Sequence, residues 1–309
     1  MFLLSYLFLI IMILISVAFL TLLERKILSY IQIRKGPNKV GIMGLLSPFS
    51  DGLKLFFKEQ NYPYMSNFII YYLSPIFMLI ISMFLWLLLP KIIYEHYLNY
   101  MLLLYLSCAS MMSYGLLMCS WSSNSMYSLL GCLRSVAQMI SYEISMSLIL
   151  ICMFIFIYSF NFIQFMIYQK YFWFIFFSFP IFLCRFSICL AETNRSPFDF
   201  AEGESELVSG FNVEYSGMSF AFIFLSEYMN IIFLSLLSCI IFFGSNINSL
   251  FFYIKMLVLM FMFIWVRGTL PRFRYDKLMY LTWKKFLPMS LNYLLFFSGF
   301  LLYCWMGYI

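Results

Sequence analysis

Seven of the chain's 13 carboxylates fall in one stretch: Glu192, Asp199, Glu202, Glu204, Glu206, Glu214 and Glu227. Acids this crowded do not all ionise cheaply once partly desolvated. At least one is expected to hold its proton near neutral pH, and the group titrates as a unit. Such a cluster can store and relay protons. A solvated acidic loop is the usual reading of a charge run, but here Phe198, Phe200, Leu207, Val208 and Phe211 are interleaved and demand burial. Glu202, Glu204 and Glu206 stand at spacing two, which projects all three the same way if the segment is extended. Arg195 is the only base inside the loop, so further countercharge has to come from the basic first and seventh connections.

Glu143, and Glu227 at the end of that stretch, lie well inside apolar runs. A carboxylate at membrane depth is by default a functional residue, and the plainer alternative is a neutral Glu hydrogen-bonding a neighbouring helix. Around Glu143, the residues Arg134, Gln138, Ser141 and Ser145 form one polar stripe, while Glu143 and Ser147 point the other way. A helix polar on two sides belongs inside a bundle. Glu143, Glu192 and Glu227 can therefore continue a path from the acidic loop toward the membrane core.

A second charged region combines Glu24-Arg25-Lys26 with Ile33-Arg34-Lys35-Gly36-Pro37-Asn38-Lys39. Charge alone makes it a basic anchor, and the Gly-Pro pair marks the end of the preceding helix. Residues 45–58 repeat Leu46, Phe49, Leu53, Phe56 and Phe57 at three-to-four spacing, with Asp51, Lys54 and Lys58 opposite. This predicts an amphipathic helix along the interface. It is either a surface anchor or a doorway for an amphiphile entering from lipid.

The elements that position these groups follow from composition. Of 309 residues 64% are hydrophobic, 22% aromatic and only 10% charged, with a mean hydropathy of +0.93. Only lipid solvates such a chain, so the fold class is an all-α polytopic membrane protein. Eight apolar runs are long enough to span: 2–23, 68–89, 98–119, 136–160, 171–191, 218–243, 250–266 and 289–305. The first lacks the basic start and cleavage site of a signal peptide and reads as a retained helix. Most of the 19 basic residues fall in odd-numbered connections. By the positive-inside rule those connections face the inner compartment. Lys91, Lys170 and Lys255 fall near the other side, and Arg185 lies within the fifth span. We expect one transmembrane domain over 1–309, with inner loops 24–67, 192–217 and 267–288. Alanine occurs only at positions 18, 109, 137, 191, 201 and 221, a bias expected of an AT-rich organelle gene.

Several chemistries are excluded. His96 is the single histidine and the eight cysteines form no C-x-x-C pair, which leaves no haem or zinc ligand set. The cysteines read as small core residues. No phosphate-binding glycine motif or serine triad is evident. Redox chemistry has to be supplied by partner chains.

With these motifs in view, the sequence resembles the subunit 1 family of NADH:ubiquinone oxidoreductase, respiratory complex I, in its mitochondrially encoded form. The resemblance rests on Glu24-Arg25-Lys26, Ile33-Arg34-Lys35-Gly36-Pro37-Asn38, Ser47-Pro48-Phe49-Ser50-Asp51-Gly52-Leu53-Lys54-Leu55, and the whole run from Ala191-Glu192-Thr193-Asn194-Arg195 to Glu204-Ser205-Glu206-Leu207. It implies a subunit of the mitochondrial inner membrane that docks the iron–sulfur arm and neighbouring membrane subunits and forms much of a ubiquinone chamber. NADH, FMN and iron–sulfur clusters would belong to partners, and nucleic acid plays no part. Glu24, Arg25, Arg34, Asp51, Lys54 and Arg274 are then expected at the quinone channel. Glu143, Glu192, Asp199, Glu202, Glu204, Glu206 and Glu227 are expected on the proton path. Arg134, Arg195 and Glu214 are expected to be structural partners. A secondary transporter, an assembly scaffold or a relative in membrane-bound hydrogenases remain open on the residues alone.

Overall fold

In lipid, backbone polar groups must be satisfied within their own segment, and the apolar runs accordingly fold as helices. A computed structural model describes residues 2–89, 99–201, 203–207, 210–244 and 246–306, and among these there is no strand. Lys91, His96 and Glu202 lie outside the described residues, as does the side chain of Glu204.

In chain order the helices are α1 (Phe2–Ile31), α2 (Ser47–Phe57), α3 (Phe68–Leu85), α4 (Met101–Ser123), α5 (Met126–Ile155), α6 (Gln164–Tyr168), α7 (Phe179–Glu192), α8 (Glu204–Leu207), α9 (Gly217–Ser238), α10 (Leu250–Thr269), α11 (Tyr275–Leu281) and α12 (Leu287–Met306). Wider π turns extend α9 through Cys239–Phe243 and join α11 to α12 through Thr282–Phe286. Seven described segments are long and apolar enough to cross a bilayer.

The fifth expected span, 171–191, differs. Its aromatic first half contributes a short 3-10 turn, Phe174–Phe176, and α7 itself has 14 residues. At 1.5 Å per residue that is about 21 Å, short of a hydrocarbon core of roughly 30 Å. Local chemistry fixes both ends. Pro180 sits in the first turn, where its missing N–H costs nothing. Thr193 Oγ1 donates to the Cys189 carbonyl at 3.0 Å, and Asn194 turns left-handed at φ 49°. The fourth and eighth spans start earlier than expected. Arg134 therefore rides on α5, Lys277 on α11 and Lys284 and Lys285 on the π turn, not in loops.

The main core gathers α5, α7, the far half of α9 and the inward faces of α1, α4, α10 and α12. A second core joins α3 and α4 to the end of the acidic loop through Tyr71, Met78, Leu116, Phe211 and Tyr215. Gln138, Ser141 and Ser145 of α5 are buried as expected, but Leu133, Ile140 and Ile144 form an exposed apolar side, so α5 also meets the surroundings of the bundle. Six of the eight cysteines are buried, and all are free thiols.

Candidate functional site

The first region is built on α1. Its 30 residues reach about 45 Å, longer than the hydrocarbon core, so the segment from Glu24 carries polar side chains past the apolar part. Helix α2 lies beside it, as the amphipathic pattern required, with Phe49 edge-on to Phe19 at 5.9 Å and Phe56 near Phe222 of α9 at 6.3 Å. Between α1, α2 and α9 a cavity of about 810 Å³ opens. Leu14, Ile15, Val17 and Ala18, together with Leu53, Phe220, Phe224 and Leu225, make most of its wall apolar. Glu24, Arg25, Asp51, Tyr228 and Arg267 make its polar end.

That polar end is a charge network. Glu24 is 5% exposed. Its Oε1 accepts from Arg195 at 3.1 Å and from Arg267, and its Oε2 accepts from the Tyr228 hydroxyl at 2.6 Å. The Arg195 guanidinium also lies 4.4 Å from the centre of the Tyr228 ring. Glu24 reinforces the positive charge of Arg195, which the loop residue's burial opposes. Two bases and a phenol around one acid compensate its desolvation. At the mouth, Arg25 pairs with Asp51 at 2.5 Å, both about half exposed.

Of the residues expected at the quinone channel, the structure brings Glu24, Arg25 and Asp51 to this cavity. Lys54 is exposed on α2 and Arg34 is exposed beyond α1, both apart from the lining. Arg274 pairs with Asp276 on its own helix start at 3.0 Å and is also apart. Sequence reasoning missed Arg267 and Tyr228 as site residues. Arg267 carried a weak signal, being the base that ends a span in the basic seventh connection.

The second region begins where α7 stops. Gln138 of α5 donates to the Ala191 and Phe198 carbonyls at 2.8 and 2.9 Å, satisfying groups the helix end and the loop leave unpaired. Tyr105, in the second turn of α4, donates to Glu192 at 3.3 Å. Glu192 lines two small cavities of about 30 and 20 Å³; Asn230 lines both, and Glu227 lines the second. Glu143 is half-buried on α5, close enough to act electrostatically on Glu192. The structure thus gathers Glu143, Glu192 and Glu227. Asp199 is partly buried and has its own partner. Asn230 and Tyr105 went unnoticed in the sequence, being unremarkable polar residues in greasy runs.

The loop then folds back over α5. Gly131 permits this: a Cβ there would lie 3.1 Å from the Ala201 carbonyl oxygen and 3.2 Å from backbone atoms of Gly210 and Phe211. The described part of the segment expected to be extended, Glu204–Leu207, is instead one turn of helix. Glu206 pairs with Arg134, which holds its carboxyl below the usual range. Both basic connections meet the loop. Arg195 bonds Glu24, the Phe273 amide donates to the Pro197 carbonyl at 3.0 Å, and Arg272 lies 5.3 Å from the Phe200 ring. At the loop's far end Tyr71 stacks on Tyr215 at 4.4 Å and donates to the Glu214 carbonyl at 2.6 Å. In this contact Glu214 contributes backbone.

The comparisons agree on one family. The family model described as NADH dehydrogenase matches residues 4–298. Among curated relatives, NADH-ubiquinone oxidoreductase chain 1 of Aedes aegypti is 61% identical over 95% of this chain and 94% of its own. The protein of that name from Anopheles gambiae is 60% identical over 95% and 93%, and that from Locusta migratoria 58% over 97% and 95%.

Proposed function

The chain belongs to the NADH dehydrogenase family, as a core membrane subunit of NADH:ubiquinone oxidoreductase, and we propose that its α1–α2–α9 cavity admits ubiquinone while the carboxylates beyond α7 couple the reduction to proton movement. The observation that carries this reading is the shape and chemistry of the cavity: about 810 Å³, apolar along its length and charged at one end. An isoprenoid tail matches the aliphatic and phenyl wall, and a quinone ring needs hydrogen-bond donors at its carbonyl oxygens. Tyr228, Arg25 and Arg267 carry donors at the polar end. Reduction of a quinone takes up two electrons and two protons, so charge changes beside Glu24, whose partner Arg195 sits on the acidic loop. A shift in that pair is transmitted directly to the strand of loop behind Glu192.

From Glu192 the path runs through the second small cavity to Glu227 and on the α5 side to Glu143, which acts electrostatically on Glu192, with Tyr105 and Asn230 as uncharged polar neighbours. Asp199, Glu202, Glu204 and Glu206 belong to the same acidic group, and Glu206 serves as its clasp to α5. Electrons come from iron–sulfur clusters in partner subunits, along with NADH and FMN. The remaining partners are neighbouring membrane subunits and lipid. The protein is a single domain of the mitochondrial inner membrane with its odd-numbered connections, and hence the acidic loop, toward the matrix.

Ala18→Phe tests the reading by filling the apolar wall. The expected result is a several-fold rise in KM for long-tailed quinones and little change for a short-tailed analogue. Equal effects on both, or none, would reject the cavity as the route of the tail. Replacing Glu143 by Gln addresses the second half: quinone reduction should persist while pumping falls.

A further inference from the structure

Arg185 is the largest fully buried side chain among the described residues, at 0% exposure. It lies in the middle of α7, inside the bundle. Its closest acceptor is the Met146 Sδ, 3.6 Å from Nη1, and its Nε and Nη2 have no hydrogen-bond partner in the structure. A guanidinium does not shed its proton at any working pH. A buried, permanent cation without a carboxylate in contact is costly, so its charge has to be answered from nearby.

The answer lies on the same helix. Glu192 follows Arg185 by seven residues, two turns along one face, with Cys189 between them. Both Glu192 and Tyr105 are within electrostatic reach of the guanidinium, and Tyr105 is hydrogen-bonded to Glu192 at 3.3 Å. The other titratable groups facing this place are Glu143 and Tyr142 from α5 and, across the second cavity, Glu227 from α9. Burial is the chief opponent of negative charge on Glu192, Arg185 favours it, and Glu143 adds to the opposition.

We propose that Arg185 is a positioning residue for proton transfer: a fixed positive charge, two helical turns from Glu192 on the same face of α7, that lets Glu192 release its proton inside the bundle. This rests on the reading of Glu192 as a relay group. Without Arg185, the carboxyl holds its proton too tightly to pass it on. A Lys preserves the charge and the function; an uncharged chain of similar length does not.

The test uses the assembled oxidoreductase in proteoliposomes, with Arg185→Met, Arg185→Lys, Glu192→Gln and the Met/Gln double variant. The infrared carboxyl band that disappears in Glu192→Gln reports the titration of Glu192. Arg185→Met should raise its midpoint by about one pH unit or more and lower the protons pumped per quinone reduced, and Arg185→Lys should restore both. The double variant should pump like Glu192→Gln alone. An unchanged midpoint in Arg185→Met, or additive losses in the double variant, overturns the proposal. Normal pumping in Glu192→Gln instead rejects the relay reading, and the infrared midpoint still decides whether Arg185 governs that carboxyl. Met keeps an unbranched side chain in the place of Arg185 without its charge, and Arg185→Lys provides the charged control.

Discussion

In the cavity between α1, α2 and α9 each carboxylate on the wall touches a base; at the end of α7 the carboxylate touches a phenol. Glu24 is held by Arg195, Arg267 and Tyr228, and Asp51 by Arg25. Glu192 accepts from Tyr105 and faces cavities little larger than a water. The difference separates two uses of one functional group. A carboxylate gripped by cations keeps its charge and can orient a ligand or lock a loop. One surrounded by uncharged donors and a more distant cation has two accessible protonation states.

Breaking the gripped network should have the largest effect. Glu24→Ala strands Arg195 and Arg267 together, and removing one partner of a buried ionic cluster costs about 3–5 kcal/mol. Loss of the subunit from the assembled complex, or a large drop in its melting temperature, is the expected outcome. A variant of wild-type stability would show that Glu24 is not structural. Gln138→Leu attacks the other region at its anchor. Two carbonyls, of Ala191 and Phe198, lose their donor, at a cost of about 2–4 kcal/mol for the pair. Thermal denaturation measures it, and local hydrogen exchange at 191–200 should rise first.

Asp51→Asn sharpens the comparison, since its exposed pair with Arg25 contributes under about 1 kcal/mol. Stability should hardly change while the KM for quinone rises; a stability loss without a kinetic change would assign the pair to anchoring. Glu206→Gln should give the smallest effect. Because Arg134 depresses the Glu206 carboxyl, the pair stabilises the fold fully above the ordinary value of 4.5 and is lost as pH falls through the depressed value. Wild type and variant should therefore differ slightly in melting temperature at neutral pH and converge in acid.

How far the sequence carried these conclusions depends on distance along the chain. Hydropathy located every long helix, and the three-to-four spacing of Phe49, Leu53 and Phe56 located α2, because both signals are local. Glu24 stood out by sitting beside two bases. Its true partners, Arg195 and Arg267, are 171 and 243 residues away, and nothing local ranks them above Arg34 or Arg274, which carry the same charge and also fall in odd-numbered connections. The length of α7 was hidden for another reason. Hydropathy counts Tyr171, Phe172, Trp173 and Phe174 as membrane residues without asking whether they are helical. The spacing-two acids misled because a period describes orientation only after the backbone conformation is known.

The shortness of α7 also has an electrical meaning. Its missing length lies at the aromatic start, 171–178, where a 3-10 turn replaces regular helix, while Glu192 stands at the other end, facing two small internal cavities. A full charge crossing the membrane gains or loses about 2.3 kcal/mol per 100 mV, and on the proposed relay a proton held at Glu192 has crossed part of that drop. Its residence there should depend on membrane voltage as well as pH. An imposed potential across proteoliposomes should move the Glu192 infrared midpoint with a sign that reverses when the potential is reversed.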